Sequence, residues 1–474
     1  MFDRPSPFRP DPRALSEAFD GVAADVLARA AGRAAEPVAS AGSPEALARL
    51  VAGGVPAAGR PLGEVADELR DVVLAARART DHPRFFAFVP SPVSPIAWLA
   101  DALTSLHNPH LGARRQAEGP AAVERALIRW LAQALGLPEG AGGLFVSGGS
   151  MANLAAAVAA RDAKLAPAAR GDGVAYVSAE THVSVARALR IVGLLDRQIR
   201  VTPVDAALRM DAHALAAQIA VDRAAGLTPF LLIATAGSTN VGAIDPLPEL
   251  AEIAARENLW LHVDGAYGAS IALSPAKRGL LAGIERADSV AWDAHKWLFQ
   301  TYGTGMLLAR DPARLAASFG VEAAYLDDAG SEGPDFWDLG PELTRPARAL
   351  KLWLTLQVMG LDAVGAAIEH AFRLAEAAER TVRATPGWEI ATPAQLGVVT
   401  FRYAPEALSR EVAEAAMRRA AARLLVEGFA AVGATRVNGR PALRICALHP
   451  EATEADMAET IRRLDAHARE MSGL

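Results

Sequence analysis

The sequence predicts an α/β fold, on three observations. Short apolar runs alternate with Ala-rich helical stretches between residues 89 and 350. The residues best suited to chemistry, among them Ser238, Asp264 and Lys296, fall just past the ends of such runs, where ligand sites in α/β sheets collect. Beyond residue 351 a shorter pattern of strands flanked by helices reads as a small α+β unit. Taken in order, residues 1–88 are helical, broken by proline-rich stretches at 5–12 and 53–61. Such helices are amphipathic with little core of their own, so this segment is expected to pack on something else. Strands are expected at 143–146, 175–178, 230–234, 259–263, 289–292 and 305–309. In the last third, 399–403 and 442–447 read as strands, and 410–426 and 454–469 as helices. The expected domains are 1–88, 89–350 and 351–474.

Composition bounds the function. Of 474 residues 51% are hydrophobic and 22% charged, the balance of a soluble globular protein. A net charge of −6 and a pI near 6.0 give no reason to expect nucleic acid or a membrane surface as partner. No uninterrupted apolar run reaches the length of a membrane span. The N-terminus lacks the basic-then-apolar order of a signal peptide, and the single cysteine, Cys446, has no partner for an internal disulfide. A cytoplasmic enzyme is expected, with no metal site.

The most informative residue is Lys296. Only four of the 48 basic residues are lysines (Lys164, Lys277, Lys296 and Lys351), so a chain that otherwise uses arginine has kept a lysine beside His295, in the apolar run DSVAWDAHKW from Asp288 to Trp297. Arginine stays protonated and forms no imine; lysine can, once burial lowers its pKa. Upstream, HVDGAYG from His262 to Gly268 delivers the carboxylate of Asp264 at a strand end. A carboxylate and an imine-forming lysine on successive strand ends are what a pyridoxal phosphate site needs. The run GGLFVSGGS from Gly142 to Ser150 then leads into a helix. Its N-terminus offers free N–H groups and a positive dipole end to a phosphate, Gly148 and Gly149 allow close approach, and Ser150 is expected to cap the helix and add a hydroxyl.

Together these residues resemble the pyridoxal-phosphate-dependent group II amino acid decarboxylases, the family of aromatic L-amino acid decarboxylase. The resemblance runs from about His82 to Cys446 and is sharpest from His262 to Lys296. It implies the fold-type-I architecture of pyridoxal phosphate enzymes: a large, mostly parallel seven-stranded sheet, a helical N-terminal segment that wraps a second subunit, and a small C-terminal domain. A homodimer with shared active sites and an amino acid substrate follow from the same resemblance. So do residue roles. Asp264 would hold the proton on the cofactor's ring nitrogen, Ala266 would give the flat ring a small face to rest on, and His182 would stack on the opposite face. Asp293 and His295 would approach the phosphate; many relatives have Asn at the former position, so its carboxylate must accept hydrogen bonds from neighbours or keep its distance. Ser238 or Thr239 could bond the phenolic oxygen or simply form a turn. Arg348 and Arg444 match family positions and suit structural ion pairs.

The implied reaction is loss of CO2 from an L-amino acid, aromatic as the leading guess, through a Lys296 aldimine and a quinonoid intermediate to an amine. Two departures bear on it. Phe336 stands at or near the position of a loop tyrosine that protonates the carbanion, and phenylalanine has no proton to give. Tyr325 or His182 could serve instead; otherwise the product would be an aldehyde, with ammonia and peroxide. In the expected substrate region Phe88 and Pro90 match an early aromatic patch, whereas His107, His110, Arg114 and Arg115 replace an apolar stretch and could accept an acidic side chain or a phenol, or form a solvated turn. Rival readings are a transaminase and a non-catalytic pyridoxal phosphate-binding protein.

Overall fold

The computed structural model describes residues 11–320 and 334–474. Its larger sheet has seven strands: β1 (Gly142–Val146), β2 (Gly173–Ser178), β3 (Ile199–Thr202), β4 (Thr228–Thr235), β5 (Trp260–Asp264), β6 (Ser289–Asp293) and β7 (Gly305–Ala309). They lie in the order β1-β7-β6-β5-β4-β2-β3, and only β7 runs against its neighbours. The central strands are buried on both faces, which is why they read as continuous apolar runs rather than alternating ones. All six expected strands are present. The edge strand β3, only four residues long and with Ile, Arg, Val and Thr in turn, escaped the sequence reading because it has no apolar run. One core side of the sheet is carried by large residues such as Trp292, Trp297 and Phe299, the other by the Ala-rich helix Gly149–Lys164, whose small side chains let it lie close against the strands.

The small unit is a four-stranded antiparallel sheet in the order β10-β11-β9-β8, from β8 (Trp388–Gln395), β9 (Val398–Tyr403), β10 (Gly433–Val437) and β11 (Arg440–Cys446). Helices Arg410–Val426 and Glu454–Ser472 pack on it. It is joined to the large sheet by helix Ala349–Ala384, broken at Gly360, whose φ of 71° only glycine adopts without strain. By length and composition this helix could cross a membrane, although Lys351, Asp362 and Glu369 keep it from being an uninterrupted apolar run. Here its face bearing Leu352, Ile368 and Phe372 is buried in the main core.

The N-terminal helices Pro12–Gly32, Pro44–Gly53 and Leu62–Glu68 bury no residue in this chain. Phe19 is 63% exposed and Leu27 71%. The segment is anchored where it meets the small unit: His449 Nε2 lies 3.0 Å from the Asp81 carbonyl, and Nδ1 accepts the Glu451 N–H. Burial, together with Arg33 nearby, pushes the His449 pKa down to about 3.

A second anchor sits under β1. Arg345 and Glu124, both fully buried, pair at 2.7 Å. Glu124 also accepts the Phe145 N–H, while Arg345 donates to the Leu111 and Phe145 carbonyls. One ion pair thus ties β1, the helix Glu118–Ala134 and the segment at Leu111.

Two outcomes follow. Arg345→Met should strand Glu124 in the core and lower stability by about 3–5 kcal/mol, whereas the double replacement Glu124→Leu/Arg345→Met should recover most of that. Urea denaturation checks both, and a double variant no more stable than Arg345→Met would exclude the assignment. For His449 the folded pKa lies below the unfolded one, so the unfolded chain binds the extra proton between the two. Its contribution is present above about pH 6.5 and is lost as the pH falls towards 3. His449→Gln should flatten the fall in thermal midpoint across that window.

Candidate active site

Ends of the edge strand β1 and of the central strands β4, β5 and β6 converge on a cavity of about 340 Å³. β1 leads through Ser147 and Gly148 into the helix Gly149–Lys164, β4 ends at Thr235, β5 at Asp264, and β6 at Asp293, three residues before Lys296. Of the residues singled out in the sequence, Gly148, Gly149, Ser150, His182, Asp264, Ala266, Asp293, His295, Lys296 and Thr239 all line this cavity.

Glycine is dictated by crowding at the helix start. A Cβ on Gly305 would lie 2.5 Å from both Asp293 Oδ1 and Gly148 Cα, and one on Gly149 would lie 3.0 Å from Asp293 Oδ2 and 3.2 Å from Ala266 Cβ. The helix cap differs from expectation: Gly148, in extended conformation, is the N-cap, and Ser150 sits one residue inside the first turn, with its side chain on the cavity. Because no side chain caps this helix, its first N–H groups are left for a ligand.

Lys296 Nζ pairs with Asp293 Oδ2 at 3.0 Å, and His295 Nε2 lies 3.6 Å from the same oxygen. Asp293 therefore follows the first of the two expected courses, with cationic or donor groups against one oxygen. Burial lowers the Lys296 pKa, but Asp293 and Asp264 outweigh it and leave the net shift upward. This corrects the expectation that burial would leave the amine easily deprotonated. His295 is held by the Thr304 carbonyl at 2.9 Å from Nδ1, and burial lowers its pKa.

Asp264 is almost fully buried. Oδ1 accepts the Ala266 N–H at 3.1 Å and Oδ2 accepts the Asn153 amide at 3.1 Å. Asn153, Ser184, Thr235 and Tyr267 also line the cavity and carried no role in the sequence reading. Asn153 was detectable in principle: it stands one helical turn after Gly149, the polar exception on an otherwise alanine face.

Other expectations are corrected. Ser238 is buried in the turn after β4, where its Oγ accepts the Ala243 N–H, and it does not line the cavity; Thr239 does. Arg348 pairs with Glu342 at 2.8 Å as expected, but Arg444 bonds the Thr239 carbonyl instead of a carboxylate and so props the cavity wall from the small unit. Phe336 is no loop tip. It is 3% exposed, in a short turn pinned by Asp335, and its ring packs beneath the guanidinium of Arg345 at 4.9 Å. Tyr325 lies outside the described residues. Phe88, Pro90, His107 and His110 do not line the cavity of their own chain. Phe88 is 73% exposed, Pro90 is buried, His110 bonds Gln116, and His107 lies in a separate apolar groove with Leu103 and Trp353.

The cavity's chemistry fits pyridoxal phosphate. It offers uncapped helix N–H groups for a phosphate, a buried carboxylate opposite, an amine between them, and the Thr235 hydroxyl, a buried group with no hydrogen-bond partner among the described residues.

Comparison with known proteins agrees. The profile described as "Pyridoxal-dependent decarboxylase conserved domain" matches residues 44–404. An aromatic-L-amino-acid decarboxylase of Bacillus atrophaeus is 42% identical over 396 residues, 83% of this chain and 82% of that protein. A phenylacetaldehyde synthase of Arabidopsis thaliana is 31% identical over 385 residues, 78% of each chain. The solved structure of Oryza sativa TDC with PLP and tryptamine superposes with a TM-score of 0.92 at 29% identity, over 99% of this chain and 100% of that one. With the cavity already furnished for that cofactor, the chain belongs to the pyridoxal-dependent decarboxylase family and takes pyridoxal phosphate as its cofactor.

Proposed function

We propose that this carboxy-lyase converts an aromatic L-amino acid to CO2 and the corresponding amine. The observation that carries the reading is the convergence of Lys296, Asp264 and the Gly148–Ser150 helix start on one cavity, in a chain 42% identical to an aromatic-L-amino-acid decarboxylase. Bound pyridoxal phosphate supplies the electron sink for the bond that breaks. Lys296 supplies the covalent anchor. The first-turn N–H groups at Gly149 and Ser150, with His295 beside them, would hold the phosphate, and Asp293 pairs with the free Lys296 amine. Asp264 would hold a proton at the ring nitrogen. Ala266 would give the ring a small face, and a Cβ on Gly149 would stand 3.2 Å from its Cβ, so both positions must stay small. His182, also on the cavity, would cover a face of the ring and could return a proton to the substrate's Cα.

A second reading, release of an aldehyde, draws on the 31% identity to a phenylacetaldehyde synthase. Phe336 no longer favours it, because that ring belongs to the core.

We also propose a homodimer. Helix Pro95–His107 and the start of helix Ala349–Ala384 together present Leu99, Leu103, Leu106, Trp353 and Val358 to solvent, and the N-terminal helices bury nothing. A second copy would cover this face. His107, in its groove, and Phe88 and His110, which reach no part of their own cavity, would then be available to the partner's site.

Lys296→Ala should bring turnover to background and remove the visible absorbance of lysine-bound cofactor. Mass spectrometry of products from a panel of aromatic and acidic L-amino acids, in air and in D2O, separates the readings: a singly deuterated amine supports simple decarboxylation, and aldehyde with peroxide supports the second. Light scattering should give twice the 49.6 kDa of one chain, and Leu103→Glu/Trp353→Glu should shift it to a single chain. A wild-type monomer would exclude the dimer.

A further inference from the structure

Behind the cavity runs a chain of buried hydrogen bonds that none of the roles above uses. Trp260 Nε1 donates to Ser289 Oγ at 2.8 Å, and Ser289 Oγ meets His262 Nδ1 at 2.8 Å. His262 Nε2 meets Asn153 Oδ1 at 2.8 Å. From Asn153 Nδ2 the chain forks, to Asp264 Oδ2 at 3.1 Å and to Ser184 Oγ at 3.3 Å, and Ser184 Oγ meets His182 Nδ1 at 2.8 Å. Asn153, Ser184, His262 and Ser289 are all buried.

The directions of these bonds are fixed by what each group can do. A carboxylate only accepts, so Asn153 must turn its NH2 to Asp264 and its carbonyl oxygen to His262. His262 Nε2 must then carry a proton, and its Nδ1 accepts the Ser289 hydroxyl, whose oxygen already receives the Trp260 N–H. Burial pushes the His262 pKa down to about 4, in keeping with a neutral ring. On the other branch Ser184 Oγ receives the second amide proton and passes its own to His182 Nδ1, which also receives the Ser184 N–H at 3.3 Å. His182 is therefore left with its proton on Nε2. The charged groups acting on that ring are Asp264, Lys296, Asp293 and Arg187.

We propose that Asn153, backed by His262 and Ser289, is the positioning residue of this site: its single amide group orients the Asp264 carboxylate and, through Ser184, sets the Nε2–H tautomer of His182. Two cavity groups, the Asp264 carboxylate and the His182 imidazole, are thereby fixed by one side chain. Every member of the relay being satisfied, the network is rigid. The inference rests on the roles given above to Asp264 and His182.

The test compares Asn153→Leu, Asn153→Asp and Ser184→Ala with Asp264→Asn as reference. Three quantities are read: pyridoxal phosphate affinity of the apo-protein, the pH profile of the loaded protein's visible absorbance, and the His182 tautomer by 15N-histidine NMR. Asn153→Leu should weaken cofactor binding about 10- to 100-fold, the size of a lost hydrogen bond to a charged group, shift the absorbance profile, and release the tautomer. Asn153→Asp keeps the volume and the acceptor for His262 but loses both amide protons. It should weaken the cofactor likewise, which keeps the test decisive if the leucine variant does not fold. Ser184→Ala should release the tautomer and slow turnover while cofactor affinity holds. If Asp264→Asn weakens the cofactor but the Asn153 variants do not, or if the tautomer survives Ser184→Ala, the relay is overturned and the site reading stands. If Asp264→Asn itself leaves affinity unchanged, the role given to Asp264 falls first.

Discussion

The register of β5 against β6 is the constraint on which the site depends. These parallel strands pair His262 with Ser289 and Asp264 with Ala291. The first pairing puts the imidazole and the hydroxyl side by side; the second sends the Asp264 carboxylate off the strand end into the cavity. A slip of one residue would turn His262 and Asp264 to the other face of the sheet together, and the hydrogen-bonded chain to Asn153 and the carboxylate would both be lost. Burial on both faces makes such a slip costly, because the apolar residues between would trade places with polar ones.

Crowding at the opposite end of the cavity is the complement of that register. Where β1 leaves the sheet, Gly148 meets Gly305 at the start of β7, and Asp293 fills the space between them. This contact brings an uncapped helix N-terminus within reach of the residues after β6. It works only because β7 runs antiparallel, so that its first residue lies beside the last residues of β1 and β6. Asp293 in turn ties Lys296 to this end. The amine is thus held between the Gly148–Ser150 helix start and Asp264, and the upward pull of the Asp293 and Asp264 carboxylates on its pKa follows from that position.

The reassignment of Phe336 changes the chemical question. A residue expected on a mobile loop turns out to pack under Arg345, one of the fully buried pair that fixes β1. Its lack of a proton then says nothing about the product. Attention moves to His182, whose free nitrogen is set by a hydrogen-bonded chain that begins at Trp260, at the start of β5. Arg444 shows a related coupling: a residue of the small sheet supports the Thr239 wall of a cavity built by the large one.

By itself the sequence determined the α/β class, six of the seven large-sheet strands, and the three strand ends bearing Lys296, Asp264 and the Gly148–Ser150 turn. It could do so because strand cores are apolar runs, and because imine formation and phosphate binding demand particular residue types in plain local contexts. What it left open was decided by contacts between residues distant along the chain. Asn153 is one polar residue in an alanine helix until β5 brings Asp264 and His262 to its two ends. Ser238 and Thr239 are equal candidates until the turn after β4 points one inward and the other at the cavity. Phe88, His107 and His110 look like pocket residues in sequence, yet the fold of a single chain leaves them outside its own cavity. Residue type fixes what a group can donate or accept; only the packing of strands and helices decides which group stands opposite it.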